Sequence, residues 1–519
     1  MSHVDALQHS DGCGGGNLSR TSATTKLETG LGDEDTLSDE DIWKWGNDPC
    51  NPYNWPTECK VYQVLMMASA AFTRWTNPSS IVPFIQANEV LSSLGVSILS
   101  PAHSQFMEEF EVGSTAAILP LSLYVSALAL GPVMGGPLSE TIGRYPVYVG
   151  SVALGSIFTL GVGLSHTFTA VCVLRFLSGF CFAPPLAIAA GTINETFKPA
   201  SRAIPSTIFI LTPFLGPGLG QVLYAYHDTD SLTDLYRPVI GSFLVNRKGW
   251  RWTQWTLLFF AMCTIITTFI ARETFHPVIK CRRSKRLGLS FPPPSPLSAK
   301  IRVFAAIALL RPAQMMLTEP IVALICLYVA CEFATLFTFF AAFPLVFQGI
   351  YGFGVEDSGL VFLSIVVGCL FGAITVLLCD IFLYRQKAAS YRELPIPPEF
   401  RLYPSLMGSI GLPISLFWFG WTSRTDISWP WPVAATMVFA WGNICIFVST
   451  AQYIVDTYHG LTVASAMSAN SLARYGLAAA FPLFAVQMFT KLGIAWASSI
   501  LGFMAVGLLP VPWVLFLKD

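Results

Sequence analysis

Charge is the first thing this sequence lacks. Of its 519 residues only 12% are Asp, Glu, Lys or Arg, against about 25% in soluble domains, which speaks against a soluble globular protein. The formal net charge of −1 offers no basic surface, so nucleic acid is not expected as a partner. The twelve cysteines form no CxxC pair and no Cys/His cluster, so neither a metal site nor a disulfide scaffold is expected. Cys172, Cys181, Cys263, Cys369 and Cys445 instead lie inside apolar runs, as buried thiols do. The seven histidines (His3, His9, His103, His166, His227, His276 and His459) are dispersed, which argues against a clustered catalytic set and hence against an integral-membrane enzyme. No Gly-rich loop ends in Lys-Ser/Thr, so ATP is not the expected energy source and no cofactor is implied. Residues 1–56 carry no apolar signal-peptide core.

What is abundant is apolar. Hydrophobic residues make up 53% of the chain, and mean hydropathy is +0.57. About 20 apolar residues span a bilayer, and twelve such windows are present, near 61–82, 114–136, 146–165, 169–193, 204–223, 253–271, 320–344, 358–384, 404–422, 431–453, 464–488 and 492–516. The expected fold class is therefore an all-α integral membrane protein of twelve transmembrane helices in two six-helix bundles. Residues 1–56, rich in Ser, Thr, Gly, Asp and Glu, read as a disordered cytoplasmic tail. That placement would leave the Asn17-Leu18-Ser19 sequon unused. Residues 57–272 form an N-terminal half and 319–517 a C-terminal half. The linker 273–318 is basic and then proline-rich at Pro292–Pro296. Lys and Arg concentrate in 272–302 and in 385–401, which places both segments and both termini in the cytoplasm. Arg247, Lys248 and Arg251 run against that rule.

The stretch Gly131 to Arg144 organises the chain. It follows an apolar run from Ala116 to Leu130, and Pro132 and Pro137 are expected to bend or end the helix there. The glycines allow close backbone approach. The stretch ends in Glu140 and Arg144, four residues apart and on one face if helical. Gly136-Pro137-Leu138-Ser139-Glu140-Thr141-Ile142-Gly143-Arg144 resembles the signature loop between spans 2 and 3 of the major facilitator superfamily. The resemblance implies a cytoplasmic loop whose acid–arginine contacts, with Gly136 and Gly143, help hold the two halves in the outward-open state. Tyr145 replaces a common second basic residue, so part of that charge cluster is missing. It also implies pseudo-symmetric halves with a substrate cavity between them near the midplane.

Other motifs fall where this family has them. Arg175, in Leu174-Arg175-Phe176-Leu177-Ser178-Gly179, matches an arginine implicated in proton coupling. Burying a cation costs several kcal/mol unless it is paired or hydrated, and the alternative is an arginine near a helix end that snorkels to the interface. Gly216-Pro217-Gly218-Leu219-Gly220 resembles the Gly-Pro motif of the superfamily's exporters, with Gly216, Pro217 and Gly220 as conformational candidates. A polar segment, 221–237, interrupts that motif, and Asp228, Asp230, Asp234 and Arg237 would be costly inside a span. It reads as a retained intron or an extruded loop, and so does the irregular stretch 82–96. Asp48–Pro56, Glu273-Thr274-Phe275, Pro397–Leu402, Phe417–Ser423 and Tyr453–Tyr458 extend the resemblance from about Asp48 to Leu517. They make it most similar to fungal polyamine, drug and toxin exporters.

Glu332, in the seventh window, departs from that pattern. An acid there can be held protonated by desolvation or can bind a cationic substrate, or it can face water without a role. Arg74 in the first window is similarly out of pattern, to pair with it or to sit beside the disrupted helix. Asn443, Asn470 and Arg474 are expected to line the cavity, and Asp456 to act at a gate or as a cap. The expected function is a proton-coupled antiporter that exports a secondary metabolite, toxin or drug. Uptake of a nutrient and export of a polyamine are the alternatives. The expected partners are a small-molecule substrate, protons and the lipid bilayer, and the expected location of a monomeric carrier is the plasma membrane, with the vacuolar membrane as the alternative. Sequencing the mature transcript tests the intron expectation, and reads containing both 82–96 and 221–237 would remove it.

Overall fold

The computed structural model describes residues 50–56, 59–60, 95–96, 99, 102–197, 249–269, 271–287, 311–390, 397–458 and 461–517. Windows one and five, segment 221–237, most of 82–96 and linker residues 288–310 lie outside the described residues. All regular structure among the described residues is helical. Within 57–272 lie α1 (His103–Phe110), α2 (Ser114–Ile142), α3 (Arg144–Leu164), α4 (Phe168–Phe182), α5 (Pro184–Thr196) and α6 (Arg251–Phe269). The segment 273–318 contains α7 (His276–Leu287) and α8 (Arg311–Thr318). Within 319–517 lie α9 (Pro320–Phe343), α10 (Leu363–Cys379), α11 (Tyr403–Thr422), α12 (Pro430–Thr457), α13 (Leu461–Leu508) and α14 (Pro510–Leu517). Pro184, Pro320 and Pro430 each open a helix, where a missing N–H costs nothing. Eight described segments are long and apolar enough to cross a membrane. Among the described residues ten cysteines are free thiols.

Two details differ from the sequence reading. α2 runs unbroken through Pro132 and Pro137, since each proline removes only one helical hydrogen bond. The break comes at Gly143, which caps both α2 and α3 at φ +105°, a backbone region that favours glycine. Glu140 and Arg144 therefore do not share one continuous helix face. The last two spans, expected as separate windows, are joined through a single residue, Gly493, at φ +77°. The chain reverses there. Thr462 lies by Arg311 at 3.4 Å and Tyr475 by Phe333, so the first stretch of α13 runs with α9. Beyond Gly493, Phe503 meets Phe417 and Trp513 meets Ser409, so the chain runs against α11.

The two halves meet where α2 packs against α13. Gln487 Nε2 donates to Thr115 Oγ1 at 3.1 Å across that contact. Thr115 begins α2 and Gln487 precedes the reversal, so the hairpin at Gly143 and the start of α13 lie at the same opposite end. Close packing inside the N-terminal half uses small residues. A Cβ at Gly131 would strike Ala183, and one at Gly135 would lie 2.5 Å from Pro184, whereas Gly136 has nothing within 4 Å. Large apolar side chains such as Ile157, Phe259, Phe371 and Phe503 point outward, as expected of a surface facing lipid. Gly135→Leu is expected to destabilise the protein by about 1–3 kcal/mol through overpacking, read as a lowered Tm of the detergent-solubilised protein. Gly136→Ala should leave Tm unchanged or slightly raised.

Candidate functional site

The first cluster forms where α2 turns into α3. The Arg144 guanidinium pairs with Glu195 at the end of α5, with Nη2 to Oε1 at 2.8 Å, and Nη1 also donates to Ser139 Oγ. Its planar fork lies 5.1 Å from the Phe275 ring. Glu273, just beyond α6, accepts the backbone N–H of Arg144 at 2.9 Å and of Tyr145 at 3.2 Å. Those donors are the unpaired amides at the N-terminus of α3, where a carboxylate is favoured. Thr274 Oγ1 donates to Glu195 Oε2, and His276 Nε2 donates to the Glu195 carbonyl. One arginine and two acids thus tie the turn between α2 and α3 to the ends of α5 and α6.

The C-terminal half repeats this arrangement at the same end. Arg401, before α11, pairs with Asp456 at 2.8 Å and with Asp380 at 3.1 Å, while Arg385 also reaches Asp380 at 3.1 Å. Its guanidinium lies 3.6 Å from the Tyr384 ring. Asp456 near the end of α12 corresponds to Glu195 near the end of α5, and Arg401 to Arg144. At the opposite end, Glu109 accepts from Arg251 Nη2 at 2.6 Å and Trp250 Nε1 at 2.7 Å. Burial pushes the Glu109 carboxyl up, but the bonds from Arg251 and Trp250 more than offset this and hold it below the usual glutamate range. These three residues, with Gln105, Glu108 and Gly249, line a surface pocket of about 420 Å³.

Between the two ends lie the costly groups. Arg175 sits mid-way along α4 and is fully buried, so it does not snorkel. Its Nη2 donates to the Gly95 carbonyl at 2.9 Å, and its guanidinium lies 4.9 Å from the Tyr124 ring. Gly95 and Val96, the tail of the irregular stretch, are buried. Glu332 on α9 is 1% exposed, and neither carboxylate oxygen has a hydrogen-bond partner among the described residues. Asn443 on α12 donates to the Glu332 backbone carbonyl at 3.4 Å. Phe333 packs on Phe447 and Tyr475 with ring centroids 5.3 and 5.9 Å apart. Arg474 on α13 lies 4.4–4.7 Å from these three rings. Asn470, one turn before Arg474, is 2% exposed. The helices α9, α12 and α13 therefore bring Glu332, Asn443, Asn470 and Arg474 to one buried region.

A family model described as Major Facilitator Superfamily matches residues 88–482. The chain belongs to the major facilitator superfamily. Among members of this superfamily it is similar to "MFS-type transporter traF" of Penicillium crustosum, at 35% identity over 95% of this chain and 96% of that protein. It is similar to "Polyamine transporter 4" of Saccharomyces cerevisiae at 34% identity, over 91% of this chain and 70% of that protein. The match to "Efflux pump FUB11" of Gibberella moniliformis is also 34%, over 82% and 70%. Among solved structures it resembles a partially occluded, inward-open conformation of the xylose transporter XylE from E. coli. That likeness has a TM-score of 0.59 at 13% identity, over 88% of this chain and 98% of that one, and supports the fold. Its fold is that of the superfamily, twelve helices in two six-helix bundles within a multi-pass membrane protein.

Within this superfamily fold, Gly143 and Arg144 occupy the turn expected of them. Arg144 pairs with Glu195, which the sequence reading did not select, and makes no ion pair with Glu140. Gly136 lies off the packed face, which Gly131 and Gly135 provide. Gly216, Pro217, Gly220 and Arg74 lie outside the described residues. Glu195 and Asp380 were the residues missed, while Glu273 stood out in the sequence only as part of a motif. Glu195→Gln is expected to cost about 3–5 kcal/mol by stranding the Arg144 charge, read as a loss of Tm in detergent. Removing the exposed pair Arg424–Asp426, whose side chains are 58% and 60% accessible, should change stability by less than about 1 kcal/mol.

Proposed function

We propose that this transporter is a proton-coupled antiporter that exports small organic molecules of the secondary-metabolite, toxin or drug class. The observation that carries the proposal is Glu332, an acid 1% exposed with both oxygens unpartnered among the described residues. A carboxyl in that position must take up a proton or meet a cation to avoid a large desolvation cost, and a group that alternates between the two couples them. The name of one relative, "Efflux pump FUB11", supports the direction. A second reading, export of polyamines, is favoured by the similarity to "Polyamine transporter 4".

In this reading the halves 57–272 and 319–517 rock about the central region. Arg144–Glu195 and Arg401–Asp456–Asp380 brace the cytoplasmic ends, while Gly136, Glu140, Gly143, Gly216, Pro217 and Gly220 shape the moving faces. Arg175 and Glu332 are the candidates for proton coupling, and Asn443, Asn470 and Arg474 for substrate contact. The protein works as a monomer in the plasma membrane, with both termini cytoplasmic, and catalyses no reaction. The test is transport into inverted membrane vesicles from a yeast strain depleted of its own drug exporters. A dye or toxin should accumulate when the interior is acidified, and a protonophore should abolish the signal. Glu332→Gln should lower the proton-driven component at least about tenfold, as expected when a charged partner is lost. Accumulation that ignores the protonophore would remove proton coupling, and uptake into intact cells would reverse the direction.

A further inference from the structure

The buried region around Glu332 has an unusual balance of hydrogen-bonding atoms. Both Glu332 oxygens, Asn443 Oδ1 and Asn470 Oδ1 lack a partner among the described residues, and all four are acceptors. The Tyr328 hydroxyl, also without a partner, can accept as well as donate. Tyr328 lies one turn before Glu332 on α9 and hence on the same face. Asn443 donates one of its two amide N–H groups to the Glu332 backbone carbonyl, which sets its side chain against that turn of α9. Phe333, next to Glu332, and Phe447, one turn beyond Asn443, pack ring to ring and give the region an apolar wall. The guanidinium of Arg474 is stacked against the same rings.

Native interiors rarely strand several polar atoms together, because each costs about 1–3 kcal/mol. A set dominated by acceptors is completed by a ligand rich in donors. A carboxylate in such a set also asks for positive charge. A protonated amine supplies two or three N–H donors and that charge in one group, whereas an organic anion would find its only counter-charge there among the described residues in Arg474, whose guanidinium is stacked against the aromatic rings. Glu332 is the one acid away from the span ends among the described residues, so one ammonium is matched and a second would find no counter-charge there.

We propose that Glu332, Tyr328, Asn443 and Asn470 form the recognition site for the ammonium group of a monoamine whose apolar body lies against Phe333 and Phe447. This rests on the export reading only in taking the bound amine to be the transported molecule. Glu332 cannot hold a proton and pair with the ammonium together, so acidification displaces the amine. Among the described residues the other titratable or charged groups around it are Tyr328 and Cys331 on its own helix, Cys445 on α12, and Arg474 and Tyr475 on α13.

The test uses full-length protein purified in detergent and radiolabelled tryptamine, with indole-3-acetate and N-acetyltryptamine as anionic and neutral matches. Tryptamine should bind saturably and more weakly as pH is lowered. Both matched compounds should compete at least about tenfold less well, the ratio expected when a charge-assisted hydrogen bond is lost. Glu332→Gln should weaken tryptamine binding by a similar factor, with Glu332→Asp recovering part of it. The ligand series on unaltered protein stands even where a variant fails to fold. Absence of saturable tryptamine binding, or equal competition by indole-3-acetate, overturns the amine site. Proton-driven export combined with either of those results would leave the export reading intact, and amine binding without transport would support the site while removing that reading.

Discussion

A charge surrounded by hydrocarbon must be paired or hydrated, and that constraint shapes every polar feature of this protein. Arg144 and Arg401 meet it with carboxylates at the span ends. Arg175 meets part of it deep inside, with one backbone carbonyl and the face of Tyr124. Arg474 meets part of it with three aromatic rings. Glu332 does not meet it among the described residues. A buried acid with neither oxygen partnered is where binding chemistry is expected.

The paired clusters also show how two halves with different sequences converge on one device. In each half an arginine at the start of an odd-numbered span reaches an acid at the end of the next span, Glu195 in one and Asp456 in the other. An aromatic ring lies close to each guanidinium, Phe275 and Tyr384. The second acid differs: Glu273 binds backbone amides of α3, whereas Asp380 binds two arginine side chains. Each half is braced this way at one end, and α2 against α13 is a contact between them.

Much of this was legible in the sequence because hydropathy and length alone dictate spans in a medium that cannot hydrogen-bond to a backbone. Glu332, Arg175 and Arg474 stood out as charges within apolar windows, and the structure buries all three. What could not be read was pairing across distance. Glu195 lies 51 residues from Arg144, and its signal was only the parallel with Asp456 at the end of the matching span. The phase of α2 was equally hidden. Gly131, Gly135 and Gly136 look alike in a string, yet only the first two approach a neighbouring helix, since rotation about a helix axis is set by its partners. Continuous helix through Pro132 and Pro137 shows that tertiary packing outweighs a local breaker.

Gly493 carries a consequence for how this chain can vary. One residue with a positive φ performs the whole turn between the last two spans. There is no slack at that point to absorb an added or deleted residue, and any change of length would rotate one span by about 100° against its neighbours. Tags, protease sites and natural indels should therefore be tolerated in the proline-rich segment between the halves and rejected at this turn.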